Sequence, residues 1–349
     1  MEQDSAKLTF LSEAEAGSLR KDTGVRIVDA FAGQICELFF IEHPDVEHDE
    51  KGKGLAKKFS SATTLEPVWI HLPWKSTLVR CVPEDTYFRL RTARNRDLIT
   101  AEEQGAYRAA TVGIAGLSVG STALASLTAT GGPKHIKLAD PDTVETTNLN
   151  RIRATLTDSN ENKAVVAARN TWEVDPFAEI ELWTEGLSED TLKRFINDPK
   201  LTVFVDEMDD IPLKFACRTA CKKARVPVVM ATDNEDGAVI DVERFDLEPE
   251  RPIFHGRVQV ADNATPTSRA HFVGIANEII DIDHFSKRQL QSLKEVGVTL
   301  PGIPQLGTGA SIAGAAIAYA VRAITTGKEM PSGRYLIDCQ HAFSKPVSA

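Results

Sequence analysis

The sequence predicts an α/β protein with a doubly wound, Rossmann-like and mainly parallel sheet, an antiparallel edge and a small N-terminal α+β domain. One observation is the alternation of short apolar segments with helical segments from residue 111 onward, which is typical of parallel α/β sheets. Another is the glycine turn, GLSVGS, that follows the first apolar segment, Thr111–Ala115, and leads into a helix of small residues. The third is an acid, Asp140, directly after the next apolar segment, His135–Ala139. This order of strand, turn, helix, strand and acid indicates a nucleotide-binding half-fold.

Two domains are predicted, residues 1–93 and residues 94–349. In the first we expect helices at 13–20 and 32–39 and strands at 68–72 and 77–82. Residues 42–58 are charged and contain Gly52 and Gly54, so we expect a loop there. This small α+β domain is a candidate partner-binding module, and the second domain is the nucleotide-binding one.

The larger domain continues the alternating pattern toward its C-terminal end. We expect helices at 120–130, 160–174, 188–196, 212–224 and 307–326. We expect strands at 179–183, 201–206, 226–231, 238–246 and 334–338. Polar and apolar residues alternate in 238–246, which indicates the antiparallel edge of the sheet.

Composition limits the class of function. The 349 residues carry a formal net charge of −10, which argues against a general nucleic-acid or acidic-membrane binder. The five cysteines form no C-x-x-C pair, so we expect reduced thiols in a cytoplasmic protein. The N-terminal residues are polar, so no signal peptide is expected. The longest apolar run, residues 307–321, is shorter than the roughly 20 residues of a membrane span and predicts a buried helix.

The glycine turn and Asp140 favour a nucleotide ligand. Gly116 and Gly120, with Ser118 between them, permit a tight turn whose backbone N–H groups approach a phosphate. Asp140 follows the second strand, where an acid accepts hydrogen bonds from a ribose. The turn has one glycine fewer than the dinucleotide fingerprint G-x-G-x-x-G. These residues alone do not decide between a dinucleotide and another nucleotide.

The residues after Asp140 favour a triphosphate. The run DPDTVETTNLNR adds a second acid, two amides and an arginine, and a lysine opens the following helix: Asp142, Asn148, Asn150, Arg151 and Lys163. Cationic side chains near a helix N-terminus spread the charge of a transferred phosphoryl group. Across the sheet, the strand at 201–206 leads to Asp209 and Asp210, where a carboxylate can hold Mg²⁺ between phosphate oxygens. These two acids can alternatively cap the next helix.

At these residues the sequence resembles the adenylating enzymes that include ThiF, MoeB and the ubiquitin-activating enzymes. The likeness covers roughly residues 94–246, and LADPDTVETTNLNR is its most specific part. The resemblance implies that Asp140 binds the ATP ribose and that Asn150 and Arg151 face the phosphates. It further implies that Lys163 neutralises the α-phosphate and that Asp209 binds magnesium.

The resemblance also implies a homodimer. The segment Arg94-Asn95-Arg96 is similar to one that, in dimeric members, reaches into the partner's active site as an arginine finger. Arg96 is the better candidate for this finger. A surface charge with no catalytic role is the alternative for Arg96.

The implied reaction is attack of a substrate carboxylate on the α-phosphorus of ATP, which gives an acyl-adenylate and pyrophosphate. The implied substrate is a small protein, either ubiquitin-like or a sulfur carrier, or a peptide with a free C-terminal carboxylate. The implied cofactors are ATP and Mg²⁺. Many relatives carry a paired C-x-x-C zinc site that is missing here, so we expect no structural zinc.

Two further departures from the family pattern bear on the chemistry. Ser118 stands where the family usually has glycine. The connection at 261–306 contains no cysteine, although thioester- and persulfide-forming members carry one in the comparable loop. We therefore expect an adenylating enzyme without its own catalytic-loop cysteine. Cys217 and Cys221, four residues apart on one helix, are interpreted as packing residues.

Two alternatives remain at this point. An NAD(P)-binding oxidoreductase agrees with Gly116, Gly120 and Asp140, but it leaves the amides and cations after Asp140 without a use. A non-catalytic nucleotide-binding scaffold agrees with the shortened turn and the missing cysteine. His255 has no obvious partner in the sequence and is interpreted as structural.

Overall fold

The computed structural model describes residues 7–258, 269–280 and 282–344. Its contacts divide the chain into two compact units. The first unit extends to Glu102 and includes Trp172–Phe177; the second comprises Glu103–Thr171 and the chain from Ala178 onward. The domain boundary expected at residues 93 and 94 stays a prediction.

The first unit is a small α+β unit, as the sequence predicts. Its sheet has the order β1-β3-β4-β2, in which β2 and β4 run parallel and the other pairs antiparallel. The strands are β1 Thr9–Leu11, β2 Arg26–Asp29, β3 Val68–Leu72 and β4 Thr77–Cys81. The helices are α1 Glu13–Leu19, α2 Phe31–Glu42, α3 Glu50–Ser61 and α4 Glu84–Thr92.

Helix α3 corrects the loop expected at 42–58. The side chain of Asp49 accepts a hydrogen bond from the Gly52 N–H at 2.7 Å and so caps the helix. Gly52 and Ala56 are buried, and α3 packs along α2. The two glycines suggested a loop, but the cap and the packing face outweigh their low helix propensity.

The second unit is built on a seven-stranded sheet with the order β11-β10-β9-β8-β5-β6-β7. Strands β7, β6, β5, β8 and β9 are parallel to one another. Strand β10 pairs antiparallel with β9, and β11 pairs antiparallel with β10. The strands are β5 Thr111–Ala115, β6 His135–Ala139, β7 Glu179–Trp183, β8 Val203–Asp206, β9 Val228–Asn234, β10 Gly237–Glu243 and β11 Gly333–Asp338. The predicted fold class is confirmed.

Helices follow most of the strands. They are α5 Ala101–Ala109, α6 Val119–Ala129, α7 Lys163–Val174, α8 Glu189–Asn197, α9 Ile211–Ala224, α10 Arg269–Ile280, α11 Lys287–Glu295, α12 Gly307–Thr325 and α13 Cys339–Ala342. Part of the connection at 261–306 lies outside the described residues, and its described part includes α10 and α11.

The sheet edge differs from the expectation for residues 238–246. Strand β10 is antiparallel to β9, as predicted, but every residue of β10 is buried. Strand β11 pairs outside it, with Tyr335 opposite Ile240, and is the outermost strand. The sequence could not indicate this pairing because about ninety residues of chain separate the two strands.

Helix α12 is the buried small-residue helix that the sequence predicts. It packs against α6, β9 and β10, and the Thr122 hydroxyl of α6 donates a hydrogen bond to the Ala310 carbonyl at 2.7 Å. By length and composition α12 is apolar enough to cross a membrane, with a mean hydropathy of 1.2, and half of that window is buried inside the protein. Its hydropathy therefore reflects its place in the core.

A buried ionic cluster lies beneath the carboxyl end of β8. Arg218 of α9 is fully buried; its guanidinium pairs with Asp206 and with Glu243, the latter at 2.7 Å. Lys214 pairs with Asp206 at 3.1 Å, and the ring of Phe254 lies 3.9 Å from the Arg218 guanidinium. Burial alone would raise the pKa of Asp206, but Lys214 and Arg218 outweigh it and hold this pKa below its ordinary value.

His255 has a partner that the sequence did not reveal. Its Nε2 lies 2.8 Å from Oδ1 of Asp241, and its Nδ1 lies 3.0 Å from the Arg251 guanidinium. Because Arg251 can only donate, Nδ1 accepts and Nε2–H donates to Asp241. The sequence alone did not indicate these partners, and the interpretation of His255 as structural stays a prediction.

Replacing Arg218 with methionine is expected to destabilise the protein by about 3–5 kcal/mol, because Asp206 and Glu243 would lose their buried counter-charge. Urea denaturation at neutral pH measures this change in the free energy of unfolding. Lys223→Met, on the exposed side of the same helix, is the matched control and should change it by less than about 0.5 kcal/mol. Equal effects of the two substitutions would contradict a structural role for the cluster.

Candidate functional site

The candidate site is a cavity at the carboxyl ends of β5, β6 and β8, where the strand order of the sheet reverses. This is where doubly wound sheets bind ligands. The cavity measures about 280 Å³. Six of the predicted site residues line it: Gly116, Ser118, Asp140, Asp142, Lys163 and Asp209.

Gly116 makes the turn at the end of β5 possible. Its φ of 86° is a left-handed conformation, and a Cβ at this position would lie 2.2 Å from the Glu207 carbonyl oxygen. The Glu207 N–H in turn donates to the Ala115 carbonyl at 2.8 Å. The ends of β5 and β8 therefore approach so closely that only glycine fits between them.

Asp140 holds two backbone segments of the site together. It is buried; one carboxylate oxygen accepts the Leu117 N–H of the turn at 2.6 Å, and the other accepts the Asp142 N–H at 2.9 Å. Burial raises the pKa of Asp140, and these hydrogen bonds oppose that rise. Asp140 thus shapes the turn and the following loop, besides its predicted role at the ribose.

Lys163 is held over the cavity by Asp142. Its ammonium lies 2.9 Å from Asp142 Oδ2, and the lysine side chain is only 11% exposed whereas that of Asp142 is 68% exposed. The pair is open to the cavity on the Asp142 side. Lys163 and Asp142 both line the cavity.

Asn162 is a site-building residue that the sequence reading missed. Its amide oxygen caps α7 by accepting the Ala164 N–H at 2.9 Å. Its amide nitrogen donates to the Asp140 carbonyl at 2.9 Å. Asn162 therefore fixes Lys163 relative to the loop after Asp140. An asparagine directly before a helix start was the available signal.

Ser118, which stands where glycine is usual in the family that the sequence resembles, has a structural role in the turn. The Arg151 Nε donates to the Ser118 hydroxyl at 3.2 Å. The Arg151 Nη1 donates to the Thr147 carbonyl and to the Asn150 amide oxygen at 3.1 and 3.0 Å. The serine side chain thus holds the arginine beside the turn, which glycine could not do.

Four predicted ligands lie outside the cavity lining: Gly120, Asn148, Asn150 and Arg151, the last of which contacts the lining residue Ser118. Gly120 is buried in the first turn of α6. Asn148 is buried, and its amide oxygen accepts the Glu145 N–H at 3.1 Å. Asn150 donates its amide to the Gln305 carbonyl at 2.9 Å. Their roles as nucleotide ligands stay predictions.

Arg96 belongs to the first compact unit, whereas the cavity belongs to the second. It directly follows a short 3-10 turn, Ala93–Asn95, and forms an isolated bridge with Ile99. Its role as an arginine finger stays a prediction.

The two adjacent acids after β8 differ in their contacts. The side chain of Asp210 accepts the Leu213 N–H at 2.8 Å and caps α9. Asp209 is exposed and lines the cavity. Mg²⁺ in nucleotide sites is usually held by one or two carboxylates together with phosphate oxygens. Asp209 fits that requirement, since its carboxylate is not used as the cap.

Glu207 was not among the predicted residues, although it lines the same cavity. Pairing between β8 and β9 ends at Val205 and Val229, and beyond that point the Glu207 carboxylate accepts the Ala231 N–H at 2.7 Å. Burial raises the pKa of Glu207 well above its ordinary value. Its place directly after a buried strand was the only sequence signal.

The cysteine interpretation agrees with the structure. Cys217 and Cys221 are buried in the core on α9, and burial raises the pKa of both thiols. A thiol that resists ionisation is a poor nucleophile. The packing role expected for these cysteines is confirmed.

The chain is similar to known proteins both in sequence and in fold. The model of the ThiF family matches residues 92–342. An uncharacterized protein of Mycobacterium tuberculosis (strain CDC 1551 / Oshkosh), MT1398, is 36% identical over 330 residues, which are 94% of this chain and 44% of that protein. The chain therefore spans less than half the length of that curated relative.

Two solved structures share the fold. PaaA has a TM-score of 0.50 at 18% identity and covers 73% of this chain and 77% of its own. TcdA (CsdL) has a TM-score of 0.50 at 16% identity and covers 68% of this chain and 95% of its own. At these identities the likeness supports the Rossmann-like architecture alone.

The raised pKa of Glu207 predicts a pH dependence of stability. The folded state favours the protonated carboxyl, so this contribution is fully present below its ordinary pKa of 4.5 and is lost as pH rises through the folded pKa. Glu207→Gln keeps an acceptor for Ala231 but does not ionise. Above pH 4.5 the wild type should therefore lose stability relative to this variant, as measured by urea denaturation across pH.

Glu185→Gln, at an exposed position, is the control and should run parallel to the wild type. Parallel curves for Glu207→Gln and the wild type would show that the Glu207 carboxyl does not titrate as described.

Proposed function

This chain belongs to the ThiF family, and on that premise we propose that it uses ATP to adenylate the C-terminal carboxylate of a small protein or peptide. One observation carries the proposal. Lys163 lines the same cavity as the glycine turn and Asp140, and Arg151 is held beside that turn by Ser118. Two cations beside a phosphate-binding turn suit a triphosphate whose α-phosphorus is attacked.

In the proposed reaction the glycine turn and the N-terminus of α6 receive the phosphates, and Asp140 receives the ribose. An oxygen of the substrate carboxylate attacks the α-phosphorus, and the bond from that phosphorus to the bridging oxygen of pyrophosphate breaks. The products are an acyl-adenylate and pyrophosphate. Lys163 and Arg151 stabilise the charge that spreads over the phosphoryl oxygens, and the protein otherwise acts by positioning.

Asp209 is the proposed magnesium ligand. Its exposed carboxylate lies in the lining of the cavity beside Glu207. When bound, Mg²⁺ would neutralise phosphate oxygens and favour departure of pyrophosphate. The adjacent Asp210 supports this assignment by keeping α9 capped.

The acyl-adenylate is proposed to pass to a nucleophile outside this chain. The connection at 261–306 contains no cysteine. The buried thiols of Cys217 and Cys221 are poor candidates for acyl transfer because burial raises their pKa.

An oxidoreductase that binds NAD(P) is the alternative that shares the turn and Asp140. It is disfavoured because a dinucleotide gives the Lys163–Asp142 pair and Arg151 no function. A non-catalytic nucleotide-binding scaffold would bind the same ligand, so only a measurement of turnover distinguishes it from the enzyme. Titration with NADH, followed by nicotinamide fluorescence, tests the first alternative, and pyrophosphate exchange tests the second.

We further propose a homodimer in which Arg96 completes the site of the partner subunit. This rests on the likeness of the segment Arg94-Asn95-Arg96 to the finger of dimeric relatives. A cation supplied in this way would add to the charge of Lys163 and Arg151 around the phosphates.

Arg151→Ala is expected to lower exchange of labelled pyrophosphate into ATP by about 10²- to 10³-fold, because a preorganised charge at the transferred group is lost. The assay uses the full chain and a panel of peptides with free C-terminal carboxylates. Arg153→Ala, two residues further on and exposed, is the matched control and should retain exchange. Wild-type exchange in Arg151→Ala would refute the assignment, and no exchange by wild type with a proven substrate would end the adenylation proposal.

Mixing two inactive variants tests the arginine finger. Arg96→Ala and Lys163→Ala homodimers should each be nearly inactive, and a mixture should recover part of the wild-type exchange. Each hybrid dimer has one site with an intact Lys163 and an Arg96 from the other subunit. Absence of recovery in hybrids verified by mass spectrometry would mean that Arg96 does not act in trans.

A further inference from the structure

A second, larger cavity in the same unit bears on the identity of the substrate. We propose that it receives the C-terminal tail of the carboxylate substrate and selects tails with basic side chains. This rests on the proposed function and narrows its substrate class. The cavity measures about 1,370 Å³. Its walls come from the turn between β9 and β10, residues 283–288, the first turns of α12 and the end of β11.

The charge of the lining favours a cationic occupant. Four carboxylates face the cavity, Glu235, Asp236, Asp283 and Asp338, against one arginine, Arg288. Three of these carboxylates accept hydrogen bonds from neutral donors, which leave the negative charge in place. The donors are the hydroxyl groups of Ser286 and Thr308 and the Gln340 N–H. Lysine or arginine side chains on a tail would complement this surface.

The N-terminus of α12 is suited to the terminal carboxylate of the tail. Gly307 and Thr308 line the cavity, and the N-cap residue Leu306 provides no side-chain hydrogen bond. Helix N-termini with open N–H groups attract carboxylates, both through these donors and through the helix dipole. A tail with basic side chains and a terminal carboxylate matches both the acidic wall and this helix end.

The larger cavity is connected to the nucleotide cavity through a short series of contacts. A Cβ on Gly307 would lie 2.4 Å from the Asn150 carbonyl oxygen, so the helix start touches Asn150 directly. Asn150 donates to the Gln305 carbonyl, and the next residue, Arg151, reaches Ser118 in the nucleotide cavity. The start of α12 therefore packs on the residue next to Arg151, one of the residues proposed to surround the α-phosphate.

Other occupants fit the lining less well. Among the residues that the structure describes, no group of three His, Cys, Asp or Glu side chains is placed to hold a metal ion. An acidic segment, whether from a second copy of this chain or from another protein, would be repelled by the four carboxylates of the lining. Phe285 and Leu336 add apolar surface to the lining, which suits the apolar part of lysine and arginine side chains.

The test compares two fluorescein-labelled decapeptides that end in a free glycine carboxylate. One carries three arginines upstream of the glycine, and the other carries glutamines at the same positions. Fluorescence anisotropy with the full chain should show tighter binding of the arginine peptide, and added salt should weaken that binding. Glu235→Gln/Asp236→Asn should bind the arginine peptide at least about fivefold more weakly, since two charge pairs are lost.

Glu189→Gln/Asp190→Asn, an exposed pair at the start of α8, removes the same charge and should bind the arginine peptide as the wild type does. Equal binding of the two peptides, or equal loss in both double variants, would overturn the selectivity. Pyrophosphate exchange in the wild type separates the two proposals. If exchange occurs but does not depend on the charge of the peptide, only the acidic tail site is refuted. If no carboxylate substrate supports exchange, adenylation itself is refuted.

Discussion

The carboxylate of Asp140 is the constraint on which the nucleotide site depends. Its two oxygens hold the N–H groups of Leu117 and Asp142, so one buried side chain joins the glycine turn to the acidic loop. Asn162 then joins that loop to the start of α7 and thereby sets the position of Lys163. These hydrogen bonds join the glycine turn, the loop after Asp140 and Lys163 into one connected unit. Each of them is made to a backbone group close to where the next element begins.

The opposite wall is organised around a second buried carboxylate. Asp206 accepts the Met208 N–H, and the charges of Lys214 and Arg218 neutralise its carboxylate. The turn that carries Glu207 and Asp209 therefore follows an acid whose charge is already compensated. A buried charge without such partners would be costly. The cations beneath the sheet therefore allow acidic side chains to gather at its carboxyl edge, where a magnesium ion and phosphates would be bound.

Much of the fold could be predicted from the sequence because the strands of the larger unit are short apolar runs between helical patterns. The order of β5, α6, β6 and Asp140 was visible for this reason. The position of β10 was not, because its outer neighbour, β11, lies far along the chain. Helix α3 was hidden by two glycines whose unfavourable propensity is offset by a cap and a packing face.

The candidate site was predictable where residue type alone suggests chemistry, as for Asp140, Lys163 and Asp209. The contributions of Glu207 and Asn162 depend on hydrogen bonds to backbone groups that only the folded chain brings near. The amide oxygen of Asn148 likewise accepts a backbone N–H of a local turn, a contact that the sequence did not indicate. Spacing in the sequence indicates which residues are close, but it does not indicate which of them face the cavity.

The contact between Ser118 and Arg151 has a consequence for the energetics of ligand capture. A long arginine side chain in free solution samples many rotamers, and fixing it on binding opposes association. Here the Ser118 hydroxyl, the Thr147 carbonyl and the Asn150 amide oxygen hold the guanidinium before any ligand arrives. The entropy of ordering this side chain is thus lost during folding instead of binding, and the shortened turn presents a rigid cation to incoming phosphate.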